Sequence, residues 1–348
     1  MATLKEIKNR IASVRSTLKI TSAMKLVASA KLRKAQAAIE GMRPYQLELT
    51  RTLGELMAGT SVDGLARYYA SRELRSVALV CVASNSSLCG GFNANAIRAV
   101  RLRIAELQAA GVSEVRVYAI GRKMAEAFKG SGLLRGGDYS ALSGKPSYSA
   151  ATELSSDLID DFLDGKVDRV ELIYNHFISA GSQKVVCETY LPLSGNTSAD
   201  AAPTVSSAAA PARASGSENL YPSGNASAVA APAGASGSEK FYPSGNASLS
   251  STPGADSSEA TTEPKDDVYI VEPDKESIVE ELLPKTLKLS FFTALLDSAA
   301  AEHAARTVAM QTASDNAEDL LQELSLEYNK GRQQKITNEL LDLAGGTA

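Results

Sequence analysis

The sequence predicts an α/β fold: a long antiparallel left-handed coiled coil of the N- and C-terminal helices, a small Rossmann-like α/β domain, and a disordered low-complexity insertion. Three observations predict it. Both ends of the chain are long stretches of helix-forming residues, the middle alternates apolar runs with helical segments, and residues 194–266 follow neither pattern. The expected segments, in chain order, are an N-terminal shaft helix at 1–58, the α/β domain at 74–193, the insertion at 194–266, a return segment at 267–284 and a C-terminal shaft helix at 285–348.

The C-terminal helix is predicted from Lys285 to Leu343, because that stretch contains one glycine, Gly331, and no proline. At 1.5 Å per residue it would be roughly 85 Å long, and a helix of that length needs a partner to bury its apolar stripe. Small residues permit close approach of that partner at Ala299, Ala305, Ala309, Ala313 and Ala317. Leucines follow at Leu320, Leu321, Leu324, Leu340 and Leu343.

The partner is the N-terminal helix, predicted from an N-cap at Thr3 to about Leu56. Alternating steps of four and three residues connect Ile7, Ile11, Val14, Leu18, Thr21, Lys25, Ala28, Leu32, Ala35, Ile39, Met42, the polar Gln46, Leu49, Leu53 and Leu56. This 3.5-residue period indicates a left-handed coiled coil, and Pro44 predicts a kink near 41–44. Because the middle of the chain joins the end of one helix to the start of the other, the two must run antiparallel.

The middle of the chain alternates strands and helices. Ser76–Ala83 is a nearly continuous apolar run, typical of a buried parallel strand, and it is followed by a polar turn and a helix to about Ala110. The remaining predicted elements are a strand at Glu114–Ile120, helices at Arg122–Phe128 and Ala150–Leu163, and a hairpin of Val170–Ile178 with Val185–Leu191. The alternation predicts a small doubly wound domain.

Charge and composition exclude several classes of protein. The net charge of −4 argues against a general nucleic-acid binder, although residues 1–40 carry nine Lys or Arg and 276–348 carry twelve Asp or Glu. Opposite charges suit two helices that pair, and solvated charged faces are the alternative. We expect no membrane-spanning segment, since no run of eighteen apolar residues exists, and we expect three reduced cysteines without metal spacing.

The insertion at 194–266 is low in complexity: 56 of its 73 residues are Ala, Ser, Gly, Pro, Thr or Asn. Ala214–Ser227 recurs 21 residues later as Ala235–Ser248. Such a segment buries too little apolar area to offset its ordering entropy, so we expect disorder. A duplicated spacer is the favoured interpretation, and a recruitment motif built on the Leu-Tyr and Phe-Tyr pairs within the two copies is the alternative.

No catalytic, cofactor-binding or metal-binding residues are predicted. Cys89–Asn93 follows a strand, where nucleotide-binding folds place a phosphate loop, but it lacks both the G-x-G-x-x-G pattern and the lysine of G-x-x-x-x-G-K. A tight turn is therefore favoured there. His176 and His303 have no neighbouring metal or triad pattern. Cys81 and Cys89 are favoured as unrelated thiols over a redox pair. We therefore expect no direct nucleotide binding.

Several separated motifs together resemble the gamma subunit of F-type ATP synthases. They are Ile20–Ala28 with Lys31–Ala35, Leu88–Asn93, Tyr174-Asn175 with Ser182-Gln183, and, within Glu302–Leu340, Ala305–Met310, Asp315–Ala317, Tyr328–Lys330 and Ile336-Thr337. Two features depart from the family pattern. Asn85-Ser86-Ser87 stands where Asp-Arg-Gly is frequent, and the insertion is not typical. It also contains no cysteine, so the regulatory dithiol of plastid relatives is expected to be absent.

The resemblance implies a central rotary shaft that transmits torque between a proton-driven membrane c-ring and a catalytic hexamer of alpha and beta subunits. Such a subunit couples proton flow to ATP synthesis or hydrolysis without an active site of its own. The implied partners are the alpha and beta subunits, the epsilon subunit and the c-ring, and the implied location is peripheral, on the cytoplasmic face of the bacterial inner membrane.

The resemblance also implies partner contacts at Met24, Lys25, Arg306, Met310, Gln311, Leu340, Leu341 and Leu343. Ordinary coiled-coil packing is an equally good interpretation for each of these residues. Two other classes of function stay open: a nucleotide-binding α/β enzyme with helical arms, and a coiled-coil scaffold that binds an anionic surface through its basic N-terminal helix.

Overall fold

Two long helices dominate the computed structural model, which describes residues 3–57, 63–193, 272 and 274–345. Helix α1 is Leu4–Met57, near the start of the chain, and helix α7 is Lys275–Gly345, near its end. The predicted N-cap begins α1: the Glu6 N–H donates to Thr3 Oγ1 at 3.3 Å, and the Thr3 N–H donates to the Glu6 carboxylate at 2.8 Å. This reciprocal pair satisfies two backbone donors at the start of the helix.

Helices α1 and α7 pair antiparallel, and we call this pair the shaft. A Cβ placed on Gly331 would lie 3.1 Å from Leu4 Cδ2, and Ser314 Oγ donates to Thr21 Oγ1 at 2.9 Å. From Leu4 to Thr21, and from Ser314 to Gly331, the separation is 17 residues. All fifteen heptad positions predicted in α1 are buried or half-buried, including the polar Gln46. The N-terminal pattern therefore identified the face of α1 that contacts α7.

Helix α7 begins ten residues earlier than the predicted Lys285 and passes through Pro284. Its first turns belong to the predicted return segment, which was expected to lie outside the helix. Val279, Leu283 and Leu287 are buried in the core beside Pro284. Burial of these side chains offsets the one backbone hydrogen bond that a proline removes. The rest of the return segment, apart from residues 272 and 274, lies outside the described residues, as does the insertion.

The α/β domain contains a four-stranded sheet in the order β2-β1-β3-β4. Its strands are β1 (Ser76–Val82), β2 (Glu114–Ile120), β3 (Arg169–Ser179) and β4 (Ser182–Leu191). Strand β1 is parallel to β2 and β3, and β4 is antiparallel to β3, as the predicted hairpin requires. The helices are α2 (Asp63–Tyr69), α3 (Phe92–Ala109), α4 (Arg122–Phe128), α5 (Ser140–Gly144) and α6 (Tyr148–Leu163). The sequence analysis did not predict α2 and α5.

Both faces of the sheet are covered. Helices α3 and α4 cover one face, where Leu79, Val100 and Met124 are buried together. Helix α6, the first part of α7 and the end of α1 cover the other face. On that face the Phe291 ring of α7 lies 5.8 Å from the Tyr190 ring of β4. Helix α7 is therefore a core helix of the α/β domain before it becomes a helix of the shaft.

Candidate interaction surfaces and the junction of shaft and sheet

The loop from 84 to 91, between β1 and α3, is the segment that stands at the position of a phosphate loop. It packs directly against α7: Cys89 and Phe92 are buried together with Ala301, and a Cβ placed on Gly90 would lie 3.8 Å from Cβ of Ala309. Leu88 is exposed and has a positive φ of 68°. The side of the loop that faces α7 is filled by protein, and this packing favours a structural turn over a phosphate site.

Side-chain amides tie this loop to the rest of the α/β domain. Asn85 Nδ2 donates to the Ser140 carbonyl at 2.7 Å, and Asn85 Oδ1 accepts from the Arg122 N–H at 3.0 Å. Asn93 Oδ1 accepts from the Ser84 N–H at 3.0 Å. A neutral amide at position 85 thus connects the loop to α4 and α5.

Arg306, one of the predicted partner contacts, connects α7 to this loop. Its Nη1 donates to the Ser87 carbonyl at 3.0 Å and its Nη2 donates to Glu302 Oε1 at 2.7 Å, and the side chain is 16% exposed. Burial raises the pKa of Glu302, while Arg306 and Lys31 lower it. The contacts of Arg306 within the chain favour the packing interpretation for this residue.

The other predicted contacts near the loop differ in their exposure. Met24 is 41% exposed on α1, close in sequence to the exposed Ile20 and Val27. Met310 is 4% exposed, so its side chain packs inside the protein, which also favours the packing interpretation. Lys25 and Gln311 are half-buried, and Gln311 Nε2 donates to the Asp315 carboxylate. Of these four residues, Met24 offers the largest apolar surface to a partner.

The end of α7, from 332 to 345, is the overhang: it extends beyond the level of Leu4, where α1 begins. At 1.5 Å per residue it is about 21 Å long. Residues 332–341 are all exposed. Leu340 and Leu341 are 61% and 63% exposed, and Ile336 is exposed near them. Leu343 lies in the helix, but its side chain lies outside the described part of the chain. The overhang therefore presents apolar side chains that α1 does not cover.

His303 is a buried titratable group in α7. The sequence predicted no site around it and did not predict its burial. Burial, reinforced by the positive charges of Lys31 and Arg306, lowers its pKa to about 4. Its Nδ1 has no hydrogen-bond partner. The other histidine, His176, pairs with Asp297 of α7, and no sequence motif signals that pair. The three cysteines are free thiols, and burial raises the pKa of Cys81.

Comparison with known proteins decides the family. The ATP synthase family model matches residues 3–348. The ATP synthase gamma chain of Phocaeicola vulgatus is 43% identical over 349 residues, which cover 100% of this chain and 99% of that one. The gamma chain of Bacteroides fragilis is 40% identical over 348 residues, again with 100% and 99% covered. This chain belongs to the ATP synthase gamma chain family. The resemblance inferred from the sequence motifs is confirmed.

Solved structures confirm the fold class of this gamma chain. The rotor of the Euglena gracilis mitochondrial ATP synthase in rotational state 1 matches with a TM-score of 0.52 at 19% identity, covering 96% of this chain and 99% of that chain. A chain of the same organism's OSCP/F1/c-ring assembly in rotational state 3 matches with a TM-score of 0.54 at 18% identity, covering 99% and 93%.

The gamma chain relatives also bear on the insertion. The alignment with the Phocaeicola vulgatus chain spans 349 positions and 99% of that relative, so the two chains are nearly equal in length. The length that the insertion at 194–266 adds to this chain is therefore matched in this relative.

Within the described residues, no helix is long and apolar enough to cross a membrane, and no group of three or more His, Cys, Asp or Glu residues is placed to hold a metal ion.

Proposed function

We propose that this chain is the central rotary shaft of an F-type ATP synthase. In this role it is a non-catalytic subunit that transmits torque between a proton-driven c-ring and a catalytic hexamer of alpha and beta subunits. Membership of the gamma chain family supports the proposal. The observation that carries it is the course of α7, a single helix of 71 residues that begins in the core of the α/β domain and ends in the overhang.

A continuous helix suits torque transmission because its backbone hydrogen bonds follow one another without a flexible loop. Over 71 residues α7 would measure roughly 105 Å. Pairing with α1 stiffens it over most of that length, and burial of Phe291 and Leu295 fixes its first part to the sheet. A rotation of the α/β domain would therefore turn the whole helix.

We place the hexamer around the shaft and the overhang, and we place the epsilon subunit and the c-ring against the α/β domain. The apolar side chains of Leu340, Leu341 and Leu343 would lie in an apolar bearing of the hexamer. Burying one leucine side chain contributes about 1.5–3 kcal/mol, which is available to a partner because Leu340 and Leu341 are exposed in the chain alone.

Met24 and Lys25 would face the moving segments of the beta subunits. Arg306, Met310 and Gln311 would support that contact from within the shaft, since each is buried, half-buried or hydrogen-bonded in this chain. In energetic terms the shaft is a ligand whose affinity differs among the beta conformations, so turning it shifts each beta site between states. The subunit would be peripheral, on the cytoplasmic face of the bacterial inner membrane, as expected for a relative of these bacterial chains.

Reconstitution with alpha, beta and epsilon subunits of the same organism tests the proposal. The chain should co-purify with them, and membranes that hold the complete complex should pump protons when ATP is added. Two results would contradict it: micromolar nucleotide affinity of the purified chain alone in calorimetry, which the enzyme alternative predicts, or steeply salt-dependent binding to anionic vesicles without binding to the hexamer, which the scaffold alternative predicts.

A further inference from the structure

A cleft of about 510 Å³ lies at the outer edge of strand β2, between that strand and helix α6. Residues 133–135 pair with β2 beside it: the Val117 N–H donates to the Leu133 carbonyl, and the Arg135 N–H donates to the Val117 carbonyl, both at 2.9 Å. We call it the acidic cleft, because its lining includes three aspartates of α6 besides two tyrosines: Asp157, Asp160, Asp161, Tyr118 and Tyr139. Its volume is within the range of roughly 300–1,000 Å³ that is usual for ligand sites.

The cations that line the acidic cleft are engaged within the chain. Arg116 Nε lies 2.9 Å from Glu114 Oε1, and Arg135 Nη2 lies 3.9 Å from the same carboxylate oxygen. Lys166 Nζ lies 3.2 Å from Asp161 Oδ1. The charges that remain to be matched in the cleft are therefore the other carboxylates of α6.

Asp157 and Asp160 carry those carboxylates. Both residues are exposed, and neither side chain has a hydrogen bond or an ion pair with the residues that the structure describes. Glu153, one turn earlier on the same face of α6, is also exposed and unpaired within those residues. Because residues three or four positions apart in a helix are neighbours, these three negative charges repel one another until a cation binds.

Tyr118 adds a mostly buried hydroxyl group to the acidic cleft. The residue lines the cleft, is only 8% exposed, and its hydroxyl group has no hydrogen-bond partner in the described part of the chain. Burial raises the pKa of Tyr118, and the charges of Asp161 and Asp157 add to that rise against the opposing charge of Arg116. The hydroxyl group is therefore protonated at neutral pH, and its oxygen is open to a donor. A buried polar group without a partner indicates that a ligand completes the site.

A guanidinium group matches this set of groups. It is planar, carries five N–H donors, forms paired hydrogen bonds with carboxylates and stacks on aromatic rings. Asp157 and Asp160 supply carboxylates, and Tyr118 supplies a hydroxyl acceptor. Tyr139 supplies an aromatic ring packed on Gly136, where a Cβ would lie 2.6 Å from the Tyr139 hydroxyl oxygen. A metal ion matches less well, because no group of three or more His, Cys, Asp or Glu residues in the described ranges is placed to hold one.

The acidic cleft lies at the end of the molecule opposite to the overhang. Burial raises the pKa of Tyr68, and both Asp160 and Glu280 raise it further against the charge of Arg67, so Asp160 lies near the first turns of α7. From Glu280 to Arg332, where the overhang begins, α7 rises by roughly 80 Å. A partner bound in the cleft is therefore far from the residues that we place in the hexamer.

We propose that the acidic cleft is an interaction surface for an arginine-bearing segment of a neighbouring subunit, whose guanidinium group enters between Asp157, Asp160 and the Tyr118 hydroxyl. The choice of neighbour rests on the proposed rotary function, which places the epsilon subunit and the c-ring against the α/β domain and lets both turn with it. The binding of a guanidinium group does not rest on that function. Because the partner turns with the chain, the contact persists through a full rotation.

Calorimetric titration of the full-length chain with a blocked tetra-arginine peptide tests the cleft. We expect saturable binding, and Asp157→Asn combined with Asp160→Asn should weaken it at least tenfold, because the charge-assisted hydrogen bonds are lost. Tyr118→Phe removes only the hydroxyl group and should weaken binding about fivefold. A blocked tetra-lysine peptide should bind about fivefold more weakly than tetra-arginine, because an ammonium group lacks the planar pair of donors.

The matched control is Asp319→Asn combined with Glu323→Gln, which removes two charges from an exposed face of α7 remote from the cleft. It should change the affinity for tetra-arginine by less than about twofold. Equal weakening in the two double variants would overturn the cleft as the binding site. Equal affinity for tetra-lysine and tetra-arginine would overturn the preference for a guanidinium group. If Tyr118→Phe does not fold, the two double variants still decide, because they change only exposed residues.

Carboxylate labelling with a carbodiimide and glycine ethyl ester, read by mass spectrometry, tests the surface in the assembled complex. Labelling of Asp157 and Asp160 should fall at least fivefold from the isolated chain to the complete complex, and the protection should be lost when either the epsilon subunit or the c-ring is left out. Protection that survives the loss of both would overturn the assignment to a subunit that turns with the chain.

The same labelling separates the interaction surface from the rotary function. Equal labelling of Asp157 and Asp160 in the isolated chain and the complete complex would overturn the surface, even in a complex that pumps protons when ATP is added. A complex that hydrolyses ATP without pumping, but in which both aspartates are protected, would contradict the rotary function and leave the surface intact.

Discussion

The paired and unpaired parts of α7 differ in burial although they belong to one helix. Where α7 lies beside α1, its inward residues Ala300, Ala304 and Ser314 are buried. In the overhang, even Leu340 and Leu341 are exposed. The helical propensity of the residues does not account for this difference; the presence of a partner helix does. The paired part of α7 is therefore stabilised by contacts within the chain, while the apolar surface of the overhang is available to other subunits.

The largest effect is expected in the core of the paired part. Phe291→Ala should lower the free energy of unfolding by about 3–5 kcal/mol, because it leaves a cavity between α7 and the sheet. Urea denaturation measures it. The control is Leu326→Ala, at a position of α7 that is 72% exposed, where a change within about 0.5 kcal/mol is expected. Equal losses in both variants would show that burial along α7 does not determine stability.

The acid dependence of stability should be nearly as large. His303 has a pKa of about 4 in the folded chain, below its ordinary value of 6.5, so its contribution to stability is present above pH 6.5 and is lost as the pH falls toward 4. The 2.5-unit difference corresponds to on the order of 3 kcal/mol. Urea midpoints at pH 7 and pH 4.5 should therefore differ more in the wild type than in His303→Asn. If the urea midpoint changes equally between pH 7 and pH 4.5 in the two proteins, His303 is not the cause of the acid dependence.

A smaller effect is expected from the hydroxyl pair within the shaft. Ser314→Ala should cost about 0.5–1.5 kcal/mol, since it removes the donor to the Thr21 hydroxyl, which still donates to the Leu18 carbonyl at 3.0 Å. Combining it with Thr21→Val should cost less than the sum of the two single changes, because the hydrogen bond that each single change removes is the same one. A double-mutant cycle measures the coupling. Strictly additive losses would mean that the two hydroxyl groups do not interact.

The smallest effect on stability belongs to the overhang. Replacing Leu340 and Leu341 together by alanine should change the free energy of unfolding by less than about 0.5 kcal/mol, since both side chains are exposed. Retention of the chain in the alpha–beta hexamer should nevertheless weaken. Gel filtration of the reconstituted complex checks this. If the double substitution destabilises the isolated chain but leaves its binding to the hexamer unchanged, the overhang serves stability within the chain and not contact with other subunits.

Much of the fold could be predicted because its signals are local. The heptad from Ile7 to Leu56 identified the buried face of α1, and the apolar run at Ser76 marked the central strand. The start of α7 could not be predicted in this way. Pro284 indicated a boundary by local rules, whereas burial of Val279 and Leu283 against distant strands carries the helix through it.

Among the predicted partner contacts, too, the sequence gives the position of a residue but not the burial of its side chain. Resemblance named Met310 and Leu340 together, but it carries no information on the direction in which a side chain points, and the structure buries the first and exposes the second. The His176–Asp297 pair joins residues that no motif connects. Its formation depends on where the hairpin meets α7, which only the folded chain determines.

In the proposed function, this chain turns as one body inside a stationary hexamer. Its most direct test attaches a bead to a cysteine introduced at Leu102, an exposed position of α3, in a complex whose hexamer is fixed to a surface. With ATP added, the account predicts continuous rotation of the bead in one direction, and a stop when ATP is removed. ATP hydrolysis at a normal rate beneath a bead that stays still would contradict it.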